Sequence, residues 1–251
     1  MNRISRLYPA LWASIPITCL TYYIWQSKTF SVQTVLANFT MLQSFMGIPH
    51  IDESYWTLSI QLIVYVVFAM AYFLSKKDED SFVFLISIWF LVDCCWLLAN
   101  QFFKLNVGGF LLVINYINIF ILGLVANYIE QNKESKRILY IYVLALLLYS
   151  YHISLLYMLV VIFVFSLIFI ISYFEINITK KGVLVFFGSI SYPFYLIHQV
   201  VGYSIISILE NSGFRNEIYI FIPIIINAGI AYLISRFVEK PIIKYCRKLQ
   251  C

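Results

Sequence analysis

The run VLVFFGSISYPFYLIHQVVGYSIISIL, residues 183–209, carries no Asp, Glu, Lys or Arg and is long enough to cross a bilayer. A helix rises about 1.5 Å per residue, so about 20 apolar residues span a hydrocarbon core about 30 Å thick. Its middle, ISYPFYLIHQ (190–199), nevertheless sets Ser191, Tyr192, Pro193, Tyr195, His198 and Gln199 among Ile, Phe and Leu. Lipid satisfies none of these groups, so each must find a partner inside a bundle or line a wet cavity. Pro193 adds to the demand, because it interrupts the helix ladder and frees a backbone carbonyl for a nearby hydroxyl or water. Ser191, Tyr195 and His198 are spaced by four and by three and therefore share a helix face. That stripe reads either as the wall of a cavity or as packing around a satisfied interhelical histidine.

The rest of the chain has the same character. Of its 251 residues, 62% are hydrophobic, 19% aromatic and only 12% charged, where a soluble domain carries about 25% charged residues. Apolar runs long enough to span recur at about eight places: 8–26, 55–75, 82–100, 109–128, 138–151, 153–174, 183–209 and 217–235. The fifth is short and pairs with the sixth as a tight hairpin around residues 150–152. The mixed stretch 31–49 reads as a loop with a short interfacial helix. The expected fold is all-α, a polytopic integral membrane helix bundle forming a single domain over residues 1–251. The N-terminus lacks the pattern of a cleaved secretory signal, so the first span stays in the membrane.

Orientation follows from the basic residues, which are enriched in cytoplasmic loops. With the N-terminus inside, all of the 17 Lys and Arg except Lys28, Lys104 and Arg215 fall on the inner side. This predicts an N-in, C-in topology in a multi-pass protein of the cell (inner, cytoplasmic) membrane. The same asymmetry accounts for a net charge of +5 without a nucleic-acid partner. There is no internal repeat, and Asp93 is the only carboxylate well inside an expected span, which argues against an ion-coupled carrier. The five cysteines form no CxxC, and His50, His152 and His198 are scattered, so no metal site is expected.

Two further stretches carry groups with chemistry. In RISRLYP (3–9), Arg3 and Arg6 share a helix face at the inner surface. They serve either as a positive-inside anchor or as a bidentate clamp for a phosphate-bearing ligand. In HIDESYWTLSIQLIVY (50–65), Tyr55 and Trp56 open a span as interfacial aromatics do, and Gln61 lies inside it as structural glue or pocket lining. His50 beside Asp52 and Glu53 forms an acid–base pair or a solvated loop cluster.

Taken in order, RISRLYP, ANFTMLQSFMGIPHIDESYWTLSIQLIVY, FILGL (120–124), ISYPFYLIHQVVGY and RFVEKPI (236–242) resemble the acyltransferase family 3 membrane proteins over nearly the whole chain. The resemblance implies transfer of an acyl group, usually acetyl, from cytoplasmic acyl-CoA (acetyl-CoA) to a hydroxyl of an extracytoplasmic cell-surface polysaccharide or lipid-linked glycan. Arg3 and Arg6 match the family's R-x-x-R motif, implicated in handling the donor. Tyr55, Trp56 and Gln61 match its YWTL-type motif, and Ser191, Tyr192, Tyr195 and His198 its SYxxYLxH motif, as pocket and acceptor residues. His198 is the candidate catalytic residue that the sequence offers, with orientation of the acceptor as its expected task. No bound cofactor is implied, and acyl-CoA enters as co-substrate. The chain departs from the pattern twice. It begins at R-x-x-R, whereas the family carries two helices before that motif, the first bearing a histidine favoured as base. Gln61 stands where relatives commonly have Glu, which keeps size and hydrogen bonding but removes a base. Both point to lost or borrowed activity, so the alternative is a catalytically silent membrane protein that binds a lipid-linked glycan or a partner subunit.

Overall fold

A computed structural model describes residues 3–74, 155–174 and 182–249, together with single helical positions at 88, 92, 95, 99, 120 and 123. Every regular element among them is helical, and no strand is present among the described residues. The expected spans 82–100, 109–128 and 138–151, the hairpin at 150–152, FILGL and the inner basic loops at 76–77, 133–137 and 180–181 lie wholly or largely outside the described residues. Three described helices are long and apolar enough to cross a membrane: Glu53–Leu74, Gly182–Asn211 and Glu217–Cys246. The chain divides into two compact units, one of residues 1–59 with 179–251 and one of residues 60–178.

The first unit holds helix α1 (Arg3–Gln26), the short α2 (Val32–Phe39), a 3-10 turn (Glu53–Tyr55) and the start of α3 (Trp56–Leu74). It resumes with α5 (Gly182–Asn211), a second 3-10 turn (Glu217–Ile220), α6 (Phe221–Ile234), a π turn (Ser235–Glu239) and α7 (Lys240–Leu249). Helix α5 is its axis and packs on α6, α1 and the first 3-10 turn. The core lies where α1 meets the middle of α5: Leu11 and Ile15 from α1 and Ile190, Leu196 and Ile197 from α5 are all fully buried. Gly202 lets α6 come close, since a Cβ there would sit 3.3 Å from Asn227 Nδ2. By contrast Val183, Leu184, Val185 and Phe186 on α5 and Ile225 and Ile226 on α6 are exposed, an apolar surface that water penalises and lipid accepts.

The demand that Pro193 makes is met from a distant part of the chain. Pro193 cannot donate to the Ser189 carbonyl four residues earlier, and the Ser235 hydroxyl from the π turn donates to it at 3.1 Å. Pro241 likewise gives nothing to the Phe237 carbonyl, so the ladder is already interrupted where the π turn forms. Between α2 and the first 3-10 turn the chain is pinned by buried Asn38. Its Nδ2 donates to the Pro49 carbonyl at 3.1 Å and its Oδ1 accepts from the Ile51 N–H at 3.1 Å. Met41 adopts a left-handed φ of 63°, and its carbonyl accepts the Ser59 hydroxyl at 2.8 Å.

The second unit contains the remainder of α3 and the helix α4 (Leu155–Tyr173) among its described residues. Helix α4 is 19 residues, mostly Leu, Ile, Val and Phe, with no charged residue. Leu156, Leu159, Val160 and Phe163 are exposed, as suits a helix whose sides contact lipid.

Candidate functional site

The stripe on α5 does line a cavity. Ser191, Tyr195 and His198 share the wall of an open cleft of about 380 Å³ with Phe187, Ile190 and Phe194 of α5 and Ile224 and Ala228 of α6. His198 is held on two sides. Its ring stacks on Phe194 at 6.1 Å between centroids, and its Nδ1 lies 2.7 Å from the Tyr195 carbonyl oxygen. A carbonyl only accepts, so Nδ1 carries the proton and, in the neutral ring, Nε2 keeps its lone pair.

Tyr195 fixes the stripe to the neighbouring chain. Its hydroxyl donates to the Ser54 carbonyl at 2.8 Å and meets Thr57 Oγ1 at 2.6 Å. Asp52, two residues earlier, is fully buried. Its Oδ1 accepts the Ser54 N–H at 2.8 Å, capping the 3-10 turn, and its Oδ2 accepts the Val200 N–H of α5 at 3.4 Å. Burial pushes the Asp52 carboxyl up from the ordinary carboxylate value, while the bonds from Ser54 and Val200 and the charge of His198 pull it back. Gln199 Nε2 completes the contact at 3.4 Å from Glu53 Oε2. The segment Asp52–Thr57 and the face Tyr195–Val200 thus form one polar seam beside the cleft.

In the sequence Asp52 stands out only as a neighbour of His50, and in the structure the two take different partners. His50 Nδ1 accepts from Gln43 Nε2 at 3.1 Å, while its Nε2 lies 3.5 Å from Ser44 Oγ. Burial lowers the His50 pKa below its ordinary value, with Glu53 opposing. The signal for Asp52 was present in the order Asp-Glu-Ser before the aromatic helix start, an N-cap pattern. Thr57 was quoted inside the YWTL stretch without a role.

The remaining predicted residues spread over other places. Tyr192 points away from the cleft: its hydroxyl donates to the Leu7 carbonyl of α1 at 3.1 Å. Tyr55 is fully buried, its hydroxyl 3.5 Å from Thr18 Oγ1 of α1. Trp56 is half-buried at the first turn of α3. Gln61 belongs to the second unit, where its Nε2 donates to the Tyr65 hydroxyl at 2.7 Å, one helical turn away. Arg3 is the first residue of α1. Arg6, one turn on, is half-exposed, with Nε 3.7 Å from Oε1 of the buried Glu239. Among the described residues no cluster of His, Cys, Asp and Glu could hold a metal ion.

Chemically, the cleft offers an apolar lining and three hydroxyl or imidazole groups on one wall, with Nε2 the His198 ring nitrogen not bonded to the Tyr195 carbonyl. Tyr192 and His198 are six residues apart on α5, about 9 Å along its axis, so the turn that holds α1 near Arg6 and the imidazole lie on one helix, with Pro193 between them. The family model of an acyltransferase domain matches residues 1–236. No curated protein and no solved structure matches the chain.

Proposed function

The chain belongs to acyltransferase family 3, a family of membrane-embedded acyltransferases, and on that premise we propose that it moves an acetyl group from cytoplasmic acetyl-CoA to a hydroxyl of an extracytoplasmic polysaccharide or lipid-linked glycan. The observation that carries this reading is the α5 cleft, in which Ser191, Tyr195 and His198 stand together with His198 Nδ1 tied to a carbonyl. In this reading Arg3 and Arg6 hold the donor's phosphates, for which a guanidinium fork is suited. The acceptor hydroxyl donates to His198 Nε2 and is oriented by it. As the hydroxyl oxygen attacks the thioester carbonyl, its proton passes to Nε2. The carbon–sulfur bond then breaks, and the departing CoA thiolate takes that proton, leaving an O-acyl ester and CoA. Tyr195 keeps the imidazole wall in register through Ser54 and Thr57.

The experiment is label transfer from radioactive acetyl-CoA to glycan in host membranes carrying the full chain. Replacing His198 with Ala removes the group that orients and deprotonates the hydroxyl, and transfer falls by about a hundredfold with protein level unchanged. Normal transfer by that variant would refute the assignment of the cleft. A second reading, glycan binding without transfer, rests on Gln61, an amide engaged with Tyr65 where the family resemblance implies Glu. It predicts glycan retention by the membranes with no label transferred.

A further inference from the structure

Glu239 closes the π turn and is the acid of the RFVEKPI stretch, and no step above employs it. It is buried, and its partnership with Arg6 is one-sided: Oε1 lies 3.7 Å from Arg6 Nε, Oε2 meets no hydrogen-bond partner among the described residues, and its other polar neighbours are Ser235 and Lys240. A buried carboxylate kept for stability alone is ordinarily satisfied on both oxygens, because an under-paired buried charge destabilises the fold. Nor is the pairing the fork-to-fork contact that arginine prefers with carboxylates. Glu239 approaches the guanidinium by its Nε edge, and the Arg6 side chain stays 43% exposed. That leaves the two Nη nitrogens, the part of arginine that grips a phosphate, without a described partner.

The local fold is built to deliver this carboxylate. The π turn inserts an extra residue between α6 and α7, re-aiming Glu239 relative to an unbroken helix, and such insertions recur at functional sites. Ser235 anchors the start of the turn to α5 through the Ser189 carbonyl, and Tyr192 anchors the adjacent turn of α1 through the Leu7 carbonyl. Arg6 and Glu239 are therefore held by separate bonds on either side of their contact. Helix α7, which packs on α1, adds Lys240, Lys244 and Lys248 at four-residue spacing on one face. Of these, Lys240 acts on Glu239 together with Arg6.

We infer that Glu239 is a positioning residue: it holds the Arg6 guanidinium by its Nε edge so that the two Nη groups form a preset fork for a phosphate group. This rests on the donor reading of Arg6, in which the phosphate is that of CoA; an anionic lipid headgroup presents the same chemistry. Glu239 itself does not touch the ligand, and its negative charge acts through the orientation of Arg6.

The test is titration of CoA onto the purified full chain in nanodiscs of zwitterionic lipid and in nanodiscs containing anionic phosphatidylglycerol. Glu239→Gln keeps the shape and loses the charge that fixes Arg6, and weakens CoA binding about tenfold in both lipids. The double exchange Arg6→Glu with Glu239→Arg restores the ion pair and the thermal stability but not CoA binding, because the guanidinium then stands on the wrong element. Unchanged or tighter CoA binding by Glu239→Gln overturns the inference, as does recovery of CoA binding in the double exchange, which marks the pair as structural alone. A loss confined to the phosphatidylglycerol discs assigns the fork to lipid and overturns the donor role. If the unaltered chain takes up no CoA in either lipid, the donor reading itself falls; if it binds and Glu239→Gln binds equally, only the inference falls.

Discussion

Two polar contacts on the same helix are built in opposite ways. At Tyr195–Val200 the partner is Asp52, fully buried and bonded to two backbone N–H groups. At Tyr192 the helix instead holds α1 by one hydroxyl, and the nearby charge is Arg6, half-exposed and loosely paired. The first contact satisfies its polar groups internally and sets a geometry. The second leaves donor groups open to whatever arrives. The difference teaches that a polar residue in an apolar helix does not declare its task by type: Tyr192 and Tyr195 are three residues apart, and one fastens a helix while the other frames a cleft.

The contrast is open to attack by substitution. Asp52→Ala has the largest expected effect on stability, since the 3-10 turn loses its cap and the seam its buried acceptor. The cost is about 2 kcal/mol, read as a lower unfolding temperature in detergent. Asp52→Asn is milder because its side-chain oxygen still caps Ser54. The sign of the pH effect sharpens this. A carboxyl raised above its ordinary 3.8 contributes stability that is fully present below that value and is lost as pH rises through the folded value. The Asn variant therefore unfolds with a flatter dependence across the mildly acidic range, and an unchanged slope would show that Asp52 does not titrate there.

Next in size is Tyr195→Phe, which strips one of the two hydroxyl donors from the Ser54 carbonyl, leaving Thr57 Oγ1, and costs about 1 kcal/mol. Acyl transfer falls with it, because the wall carrying His198 is no longer tied to the 3-10 turn. Tyr192→Phe removes one bond to a helix carbonyl and costs less, about 0.5 kcal/mol. The comparison breaks if Tyr192→Phe proves the more damaging of the two to label transfer at equal protein level. Smallest is the effect of His50. Its pKa lies below the ordinary 6.5, so its contribution is present above pH 6.5 and is lost as pH falls through the folded value. Replacing His50 with Gln flattens the acid limb of the unfolding curve just below pH 6.5.

Much of this was legible in the residues. The absence of charge over 183–209 made a spanning helix, and the spacing of Ser191, Tyr195 and His198 placed them on one face, as the cleft shows. Pro193 announced that a hydroxyl would be needed at the Ser189 carbonyl, but nothing local named Ser235 as its source. His50 beside Asp52 and Glu53 read as an acid–base pair or a solvated loop cluster; its ring takes Gln43 and Ser44 as hydrogen-bond partners and keeps Glu53 as a charged neighbour. Glu239 stood in a quoted motif without any indication that it would meet Arg6.

What the sequence by itself determined is therefore the helical, membrane-embedded character of the chain and which side chains share a helix face, because composition and a period of 3.6 residues are local properties. What only the tertiary structure decided is the partnerships: Asp52 with α5, Tyr192 with α1, Ser235 with the carbonyl freed by Pro193, and Arg6 with Glu239. Each joins residues distant in the chain. Which of them meet depends on how helices rotate and slide to bury their apolar faces, a choice made by the sum of many weak contacts and by no single residue.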